Sequence, residues 1–226
     1  MIKLVVILVL FLSIQSAFSQ QMSLKAGQSF SKLKFEDSQG NELGNLLSVN
    51  HFFMAAGYRT ALWPDQLNSK LFGNLGLRFS GYGSKGSDAT LDNYYEWDLS
   101  YLGLSLGLDY EFYEVGNFAG FVSIKVSPEL MIRGSQTITG PQNINNGVYD
   151  LMGEEDFNTP ITFFRGGIGA RYQLASNASM FIEYTYGKSY SFFDSGADKL
   201  NILAQYFGVG VFADIAGGGS QKNRKR

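Results

Sequence analysis

Apolar residues recur at every second position along most of this chain, and no sustained i, i+3, i+4, i+7 spacing interrupts them. In Met180, Ile182, Tyr184 and Tyr186 one set is large and apolar, while the intervening Phe181, Glu183, Thr185, Gly187 and Ser189 are mostly small or polar. Successive side chains of a strand point to opposite faces, so such a stretch turns one face to apolar surroundings and the other to polar ones. The same contrast separates Phe118, Val122, Ile124, Val126, Leu130 and Ile132 from Ser123, Lys125, Ser127, Glu129 and Arg133. It also separates Phe164, Ile168, Ala170, Tyr172 and Leu174 from Arg165, Gly167, Gly169, Arg171 and Gln173. The expected class is all-β.

This pattern predicts eight strands, near 22–35, 48–62, 70–83, 94–112, 118–133, 161–174, 179–192 and 200–214. The fourth is ambiguous. Trp97, Leu99 and Tyr101 share one parity and Leu102, Leu104, Leu106 and Leu108 the other, which fits either a bulge near Tyr101 or an inward aromatic cluster. Connections at 63–69, 113–117 and 175–178 are short and carry the turn formers Pro64-Asp65, Gly116-Asn117 and Ser176-Asn177. Those at 36–47, 84–93, 134–160 and 193–199 are mostly longer and rich in Gly, Asn, Asp and Ser. Short turns on one side and longer loops on the other describe an eight-stranded antiparallel up-and-down transmembrane β-barrel. Its short turns and both ends of the barrel then lie in the periplasm, and its long loops outside the cell.

The N-terminus agrees with export. Lys3 precedes the apolar run from Leu4 to Leu12, and Ala17-Phe18-Ser19 fits a small-residue cleavage rule, which predicts a signal peptide over 1–19 cut before Gln20. Ser13, Gln15 and Ser16 stop the run short of the roughly 20 apolar residues of a spanning helix, and no later run approaches that length. The barrel is expected over 20–214. Gly217, Gly218 and Gly219, followed by Lys222, Arg224, Lys225 and Arg226, read as a flexible basic tail over 215–226.

A soluble barrel would alternate too, so composition and length must decide. Charged residues are 17% of the chain where about 25% is usual, against 27 Gly and 15% aromatics. Strands of this length exceed the globular mode of about 5 to 6 residues and suit tilted spanning strands. Tyr58, Trp63, Tyr110, Phe112, Tyr190 and Phe192 fall at strand ends, where interfacial girdles form. A net charge of −2 gives no reason to expect a nucleic-acid partner. The partners expected are outer-membrane lipid and lipopolysaccharide, with envelope proteins meeting the loops of a monomer.

Four segments carry a resemblance: Leu24-Lys25-Ala26-Gly27-Gln28-Ser29-Phe30, Tyr101-Leu102-Gly103-Leu104, Gly166-Gly167-Ile168-Gly169-Ala170-Arg171-Tyr172, and Phe181-Ile182-Glu183-Tyr184-Thr185-Tyr186-Gly187. Through them the chain resembles the porin-like outer membrane protein beta-barrel family, small eight-stranded barrels of OmpA-like architecture. Where many such proteins carry a Pro in the fourth strand this chain has Gly103 or Ser105, and it continues past Phe212 where many end on an aromatic. The resemblance implies a fold and an outer-membrane location, and no catalytic residues.

Chemistry is sparse. The chain has one His, His51, and no Cys, which excludes disulfides, thiolate metal sites and cysteine nucleophiles. His51 shares the parity of Phe53, Ala55, Gly57 and Arg59 and is expected on the polar face near the outer end of the second strand, with no nucleophile and carboxylate at a recognisable spacing. Gly81-Tyr82-Gly83 and Gly166-Gly167-Ile168-Gly169 lie in strands, so they relieve crowding inside a narrow barrel and are no phosphate loops. Glu154, Glu155 and Asp156 form a solvated acidic run without the alternating ligand spacing of a calcium loop. No catalytic, cofactor-binding or metal-binding residue is assigned, and no cofactor.

The function expected is a non-enzymatic membrane anchor, adhesin or structural barrel acting through its surface loops. A narrow channel for small solutes and a barrel subunit of a secretion machine are the alternatives. Parity places Arg59, Arg78, Lys125, Glu129, Arg133, Arg165, Arg171 and Glu183 inside, where charges must be paired. A three-residue loop around Ser176 and Asn177 would set Arg171 opposite Glu183 and Tyr172 opposite Ile182.

Overall fold

Each alternating stretch forms a strand that hydrogen-bonds to its chain neighbour. The computed structural model describes residues 20–36, 46–62, 70–88, 92–141, 143–154, 159–191 and 199–215. The strands are β1 (Gln20–Glu36), β2 (Leu47–Ala61), β3 (Leu71–Asp88), β4 (Asn93–Val115), β5 (Phe118–Gly140), β6 (Asn143–Asp150), β7 (Ile161–Ala175), β8 (Ala178–Ser191) and β9 (Lys199–Asp214). Every pairing is antiparallel, from β1 through β5 in order, then β5 with β7, β7 with β8 and β8 with β9. β9 returns to pair with β1, closing an eight-stranded barrel. β6 stands outside that circuit and pairs only with the upper part of β5.

Strand lengths differ widely around the wall. At about 3.4 Å per residue and a tilt near 40°, the 23-residue β4 and β5 rise roughly 60 Å along the axis and the 14-residue β8 roughly 35 Å. The β3–β6 side therefore projects beyond the rest.

Sidedness reverses along these long strands, and β4 displays both halves. From Leu102 to Phe112 the outward residues Leu102, Leu104, Leu106, Leu108, Tyr110 and Phe112 are large, apolar and exposed. That stretch matches the roughly 9–11 residues with which a tilted strand crosses hydrocarbon. Above it the outward positions become Ser100, Asp98 and Glu96, while Tyr101, Leu99 and Trp97 turn inward and are buried. An apolar outside with a polar inside is the arrangement of a transmembrane barrel, and the reversal above is that of a barrel in water. The ambiguous parity of this strand is thus resolved as an inward aromatic cluster. Outward Tyr58, Tyr110, Phe112 and Tyr190 are exposed as girdle residues would be, whereas Trp63 and Phe192 lie outside the described residues.

Four expectations require correction. The supposed loop 84–93 is mostly strand, with Lys85 opposite Glu96 and Ser87 opposite Tyr94. Likewise 134–160 is no open loop: β5 runs on to Gly140 and β6 returns antiparallel, with Thr137 opposite Val148. These segments stand above the apolar band, where the outward positions of β3 and β5 are polar and the alternation that marks a spanning strand fades.

Arg133 is exposed, not inside. Ser100 pairs with Arg133 but Tyr101 with Met131, so Ile132 is an extra residue and everything beyond it on β5 changes face.

The β7–β8 hairpin closes with the two-residue turn Ser176-Asn177 and a bulge at Leu174, because Ala175 pairs with Ala178 and Gln173 with Ser179. The bulge restores the parity that a two-residue turn alone would shift. Arg171 and Glu183 therefore share the inner face, but Arg171 stands opposite Phe181, Glu183 opposite Gly169, and Tyr172 opposite Met180.

The proposed signal peptide, 1–19, lies outside the described residues, as does the tail beyond Ile215, whose backbone N–H donates to the Gln20 carbonyl at 2.9 Å.

Candidate functional site

Among the described residues, chemistry-bearing side chains converge in the lumen, which is filled in layers. At the turn end Phe181 stacks on Phe212 with ring centroids 4.3 Å apart, and Phe121 packs edge-on against Phe181 at 6.2 Å. Beside them Arg59 donates from Nη2 to Glu111 Oε1 at 2.8 Å and from Nη1 to Gln21 Oε1 at 3.1 Å, while its Nε lies 3.3 Å from Asp109 Oδ2. Its guanidinium also lies over Phe72, 3.6 Å from the ring centroid. Arg171 Nη2 donates to the other oxygen of Glu111 at 3.0 Å.

One layer up, Glu183 takes both of its neighbouring lysines. Lys25 Nζ donates to Oε2, Lys125 Nζ donates to Oε1 at 2.8 Å, and the Ser123 hydroxyl donates to Oε1 at 2.6 Å. Arg78 is held differently. Its Nε donates to the Ser80 hydroxyl at 2.9 Å, and its guanidinium sits between the rings of Phe53 and Tyr206, 4.4 and 4.3 Å from their centroids.

Above that, Arg165 Nη2 donates to Glu129 Oε1 at 2.6 Å and to the Tyr82 hydroxyl at 2.8 Å. The Tyr82 hydroxyl donates in turn to Glu129 Oε2 at 2.9 Å, and its ring stacks on Phe163 at 5.0 Å. Leu33, Leu46, Trp97, Leu99, Leu151, Ile161 and Ile202 then close the lumen with an apolar cap.

Glycines in the wall make room for the bulky groups. A Cβ on Gly103 would come within 2.5 Å of the Glu129 side chain, and one on Gly169 within 2.3 Å of the Phe121 ring. Close approach, then, is what fixes glycine here.

Of the eight charges expected inside, seven are there and Arg133 is not. Sequence reasoning missed Lys25, Asp109 and Glu111, which complete the two lower clusters, and the hydroxyls of Tyr82 and Tyr206. Parity would have found Lys25, since it shares a face with Ser23, Gly27 and Ser29.

His51 departs from its expected face. Its ring packs where Cβ atoms of Gly81 and Gly83 would stand, between the inward Ser80, Tyr82 and Ser84, and Nε2 lies 3.4 Å from the exposed Asp98. The β2–β3 register slips between Ser48 and Phe53, which swings His51 outward. The Ser29 and Ser31 hydroxyls, from β1, reach across instead and donate to the Gly81 and Gly83 carbonyls at 2.9 and 3.1 Å. Glu154 is exposed, and Glu155 and Asp156 lie outside the described residues. Among the described residues no group of three or more His, Asp or Glu is placed to hold a metal ion.

No protein-family model matches the chain, and no curated protein matches it. Among solved structures it is similar to Neisserial surface protein A, at 13% identity over 87% of this chain and 97% of that one, with a TM-score of 0.47. It is similar to the outer membrane protein OprG from Pseudomonas aeruginosa at 13% identity, 87% and 96% coverage and a TM-score of 0.44. It is also similar to the outer membrane protease OmpT from Escherichia coli at 12% identity, 89% and 99% coverage and a TM-score of 0.42. The fold assignment rests on the closed hydrogen-bond circuit and the reversal of sidedness.

Proposed function

We propose that this protein is an integral outer-membrane barrel that passes no solute and acts as an anchor or adhesin through the wall it raises above the membrane. The carrying observation is the filled lumen. Charged layers at the turn end, the Arg165–Glu129–Tyr82 layer and the apolar cap block the section at three heights. Eight strands leave room for side chains and little else. That filling speaks against the narrow-channel alternative. Activity then belongs to the outside, and the projecting β4–β6 wall offers exposed Tyr94, Val148, Tyr149 and Met152 beyond the apolar band. Exposed aromatic and apolar side chains on a rigid sheet suit contact with another surface. Lipid and lipopolysaccharide are the expected neighbours of the band, and no enzymatic step is assigned.

The test pairs two measurements. In planar bilayers the purified protein shows no stable conductance step. Cells displaying the intact chain aggregate more than cells displaying a version with 136–150 replaced by a short Gly-Ser turn, at equal amounts of folded barrel. Persistent conductance by the intact protein, or equal aggregation of the two strains, refutes the proposal.

A further inference from the structure

Charge in the lower lumen does not balance. Among the described residues five cations (Lys25, Arg59, Arg78, Lys125 and Arg171) face four carboxylates (Asp109, Glu111, Glu183 and, through Gln21, Asp214), an excess of one positive charge. Glu111 is shared by Arg59 and Arg171, and Glu183 by two lysines, while no carboxylate among the described residues pairs with Arg78. Buried cations without counter-charge are costly, so compensation must come from somewhere.

A cavity of about 60 Å³ lies where it would be needed. Its walls include Lys25, Asn74, Arg78, Asp109, Lys125 and Glu183. On the scale of ~10–15 Å³ for one water, it admits roughly four water-sized occupants. Arg78 is 3% exposed, and its Nη2, like Asn74 Nδ2, is a buried donor with no acceptor. The orphaned acceptor on this wall, Asp109 Oδ1, faces Lys125 Nζ at 4.0 Å. Unused donors and surplus positive charge therefore meet in one recess.

We propose that this cavity is a binding site for a small monovalent anion of halide size, held by Arg78 and Asn74 and compensated by Lys25 and Lys125. The volume excludes large organic anions. A guanidinium Nη2 and an amide Nδ2 both donate and neither can accept, so they select an anion over a cation. Such an ion stabilises the folded barrel, because the site does not exist once the strands separate.

The experiment uses the whole protein folded in detergent micelles, with sodium chloride exchanged for sodium gluconate at constant ionic strength. The melting temperature rises with chloride and saturates, and bromide substitutes. Crystals grown in bromide show an anomalous peak beside Arg78. Arg78→Gln abolishes the chloride-dependent rise, whereas Arg133→Gln, on the exposed side of the wall, preserves it. Equal melting in chloride and gluconate overturns the proposal. So does a wild-type bromide map with water alone in the cavity or an adventitious ion only, on the surface, and that map decides the matter even if Arg78→Gln does not fold.

Discussion

Arg171 and Glu183 face one lumen from adjacent strands and bond different partners: Arg171 Nη2 lies 3.0 Å from Glu111 Oε2, while Glu183 Oε1 accepts from Lys125 Nζ at 2.8 Å. Removing the Glu183 carboxylate strands two lysines and should cost about 3–5 kcal/mol, the range for breaking a buried pair. Adding Lys25→Met to Glu183→Ala should recover part of that loss. Adding Arg171→Met should recover none, since it strips Glu111 of a partner. Urea midpoints in micelles check both, and rescue by Arg171→Met would mean that Arg171 stands opposite Glu183, as a three-residue turn would place it.

Two glycines three residues apart should respond oppositely to a methyl group. A Cβ on Gly169 would strike the Phe121 ring at 2.3 Å and the Ile182 carbonyl oxygen at 2.6 Å, while nothing lies within 4 Å of one on Gly166. Gly169→Ala should lose about 1–3 kcal/mol to overpacking, and Gly166→Ala should hold or gain slightly. Thermal unfolding of the pair measures the contrast, and equal effects would place Gly169 away from the lumen.

The apolar band sets a third expectation. Leu104→Arg puts a charge on the outward face within the band and should destabilise the barrel in lipid vesicles by about 2–4 kcal/mol. Glu96→Arg, above the band, should change stability by less than about 1 kcal/mol, losing only the exposed pair with Lys85. Similar costs at both positions would refute the band's upper limit.

Orientation can be read with single cysteines, because the chain has none of its own. On intact cells an impermeant maleimide should label Tyr149→Cys on the projecting hairpin and leave Asn177→Cys, in the β7–β8 turn, unlabelled until the outer membrane is permeabilised. Labelling of Asn177→Cys alone would invert the barrel.

Strand number, closure and the polar lumen were legible in the sequence because parity survives wherever the two faces of a strand meet different media. Its failures are physical. Leu174 and Ile132 are ordinary strand residues, and nothing in their chemistry marks them as the extra residue of a bulge, so Arg133 and the Arg171–Glu183 register were misplaced. The upper parts of β3 and β5 went unread as strand because their outward positions, Lys85, Ser87, Ser135 and Thr137, are polar and the contrast that marks a spanning strand is gone. Ion-pair partners in the lumen were hidden for another reason. Lys25 and Glu183 are 158 residues apart, and only the closed circuit decides that their side chains meet.

The seam between β1 and β9 has a consequence for how this molecule is made. Gln21 and Asp214, 193 residues apart, are joined across it by a side-chain hydrogen bond of 2.9 Å. The first strand to leave the ribosome must wait for the last before its free edge is satisfied, and every shorter nascent chain carries two open strand edges. Long-range closure of this kind is slow, and the open edges stay aggregation-prone until it is complete. A chain truncated before Lys199 lacks the closing strand altogether. Completion of the C-terminal strand is therefore the step between a chain with open strand edges and a barrel with none left to aggregate.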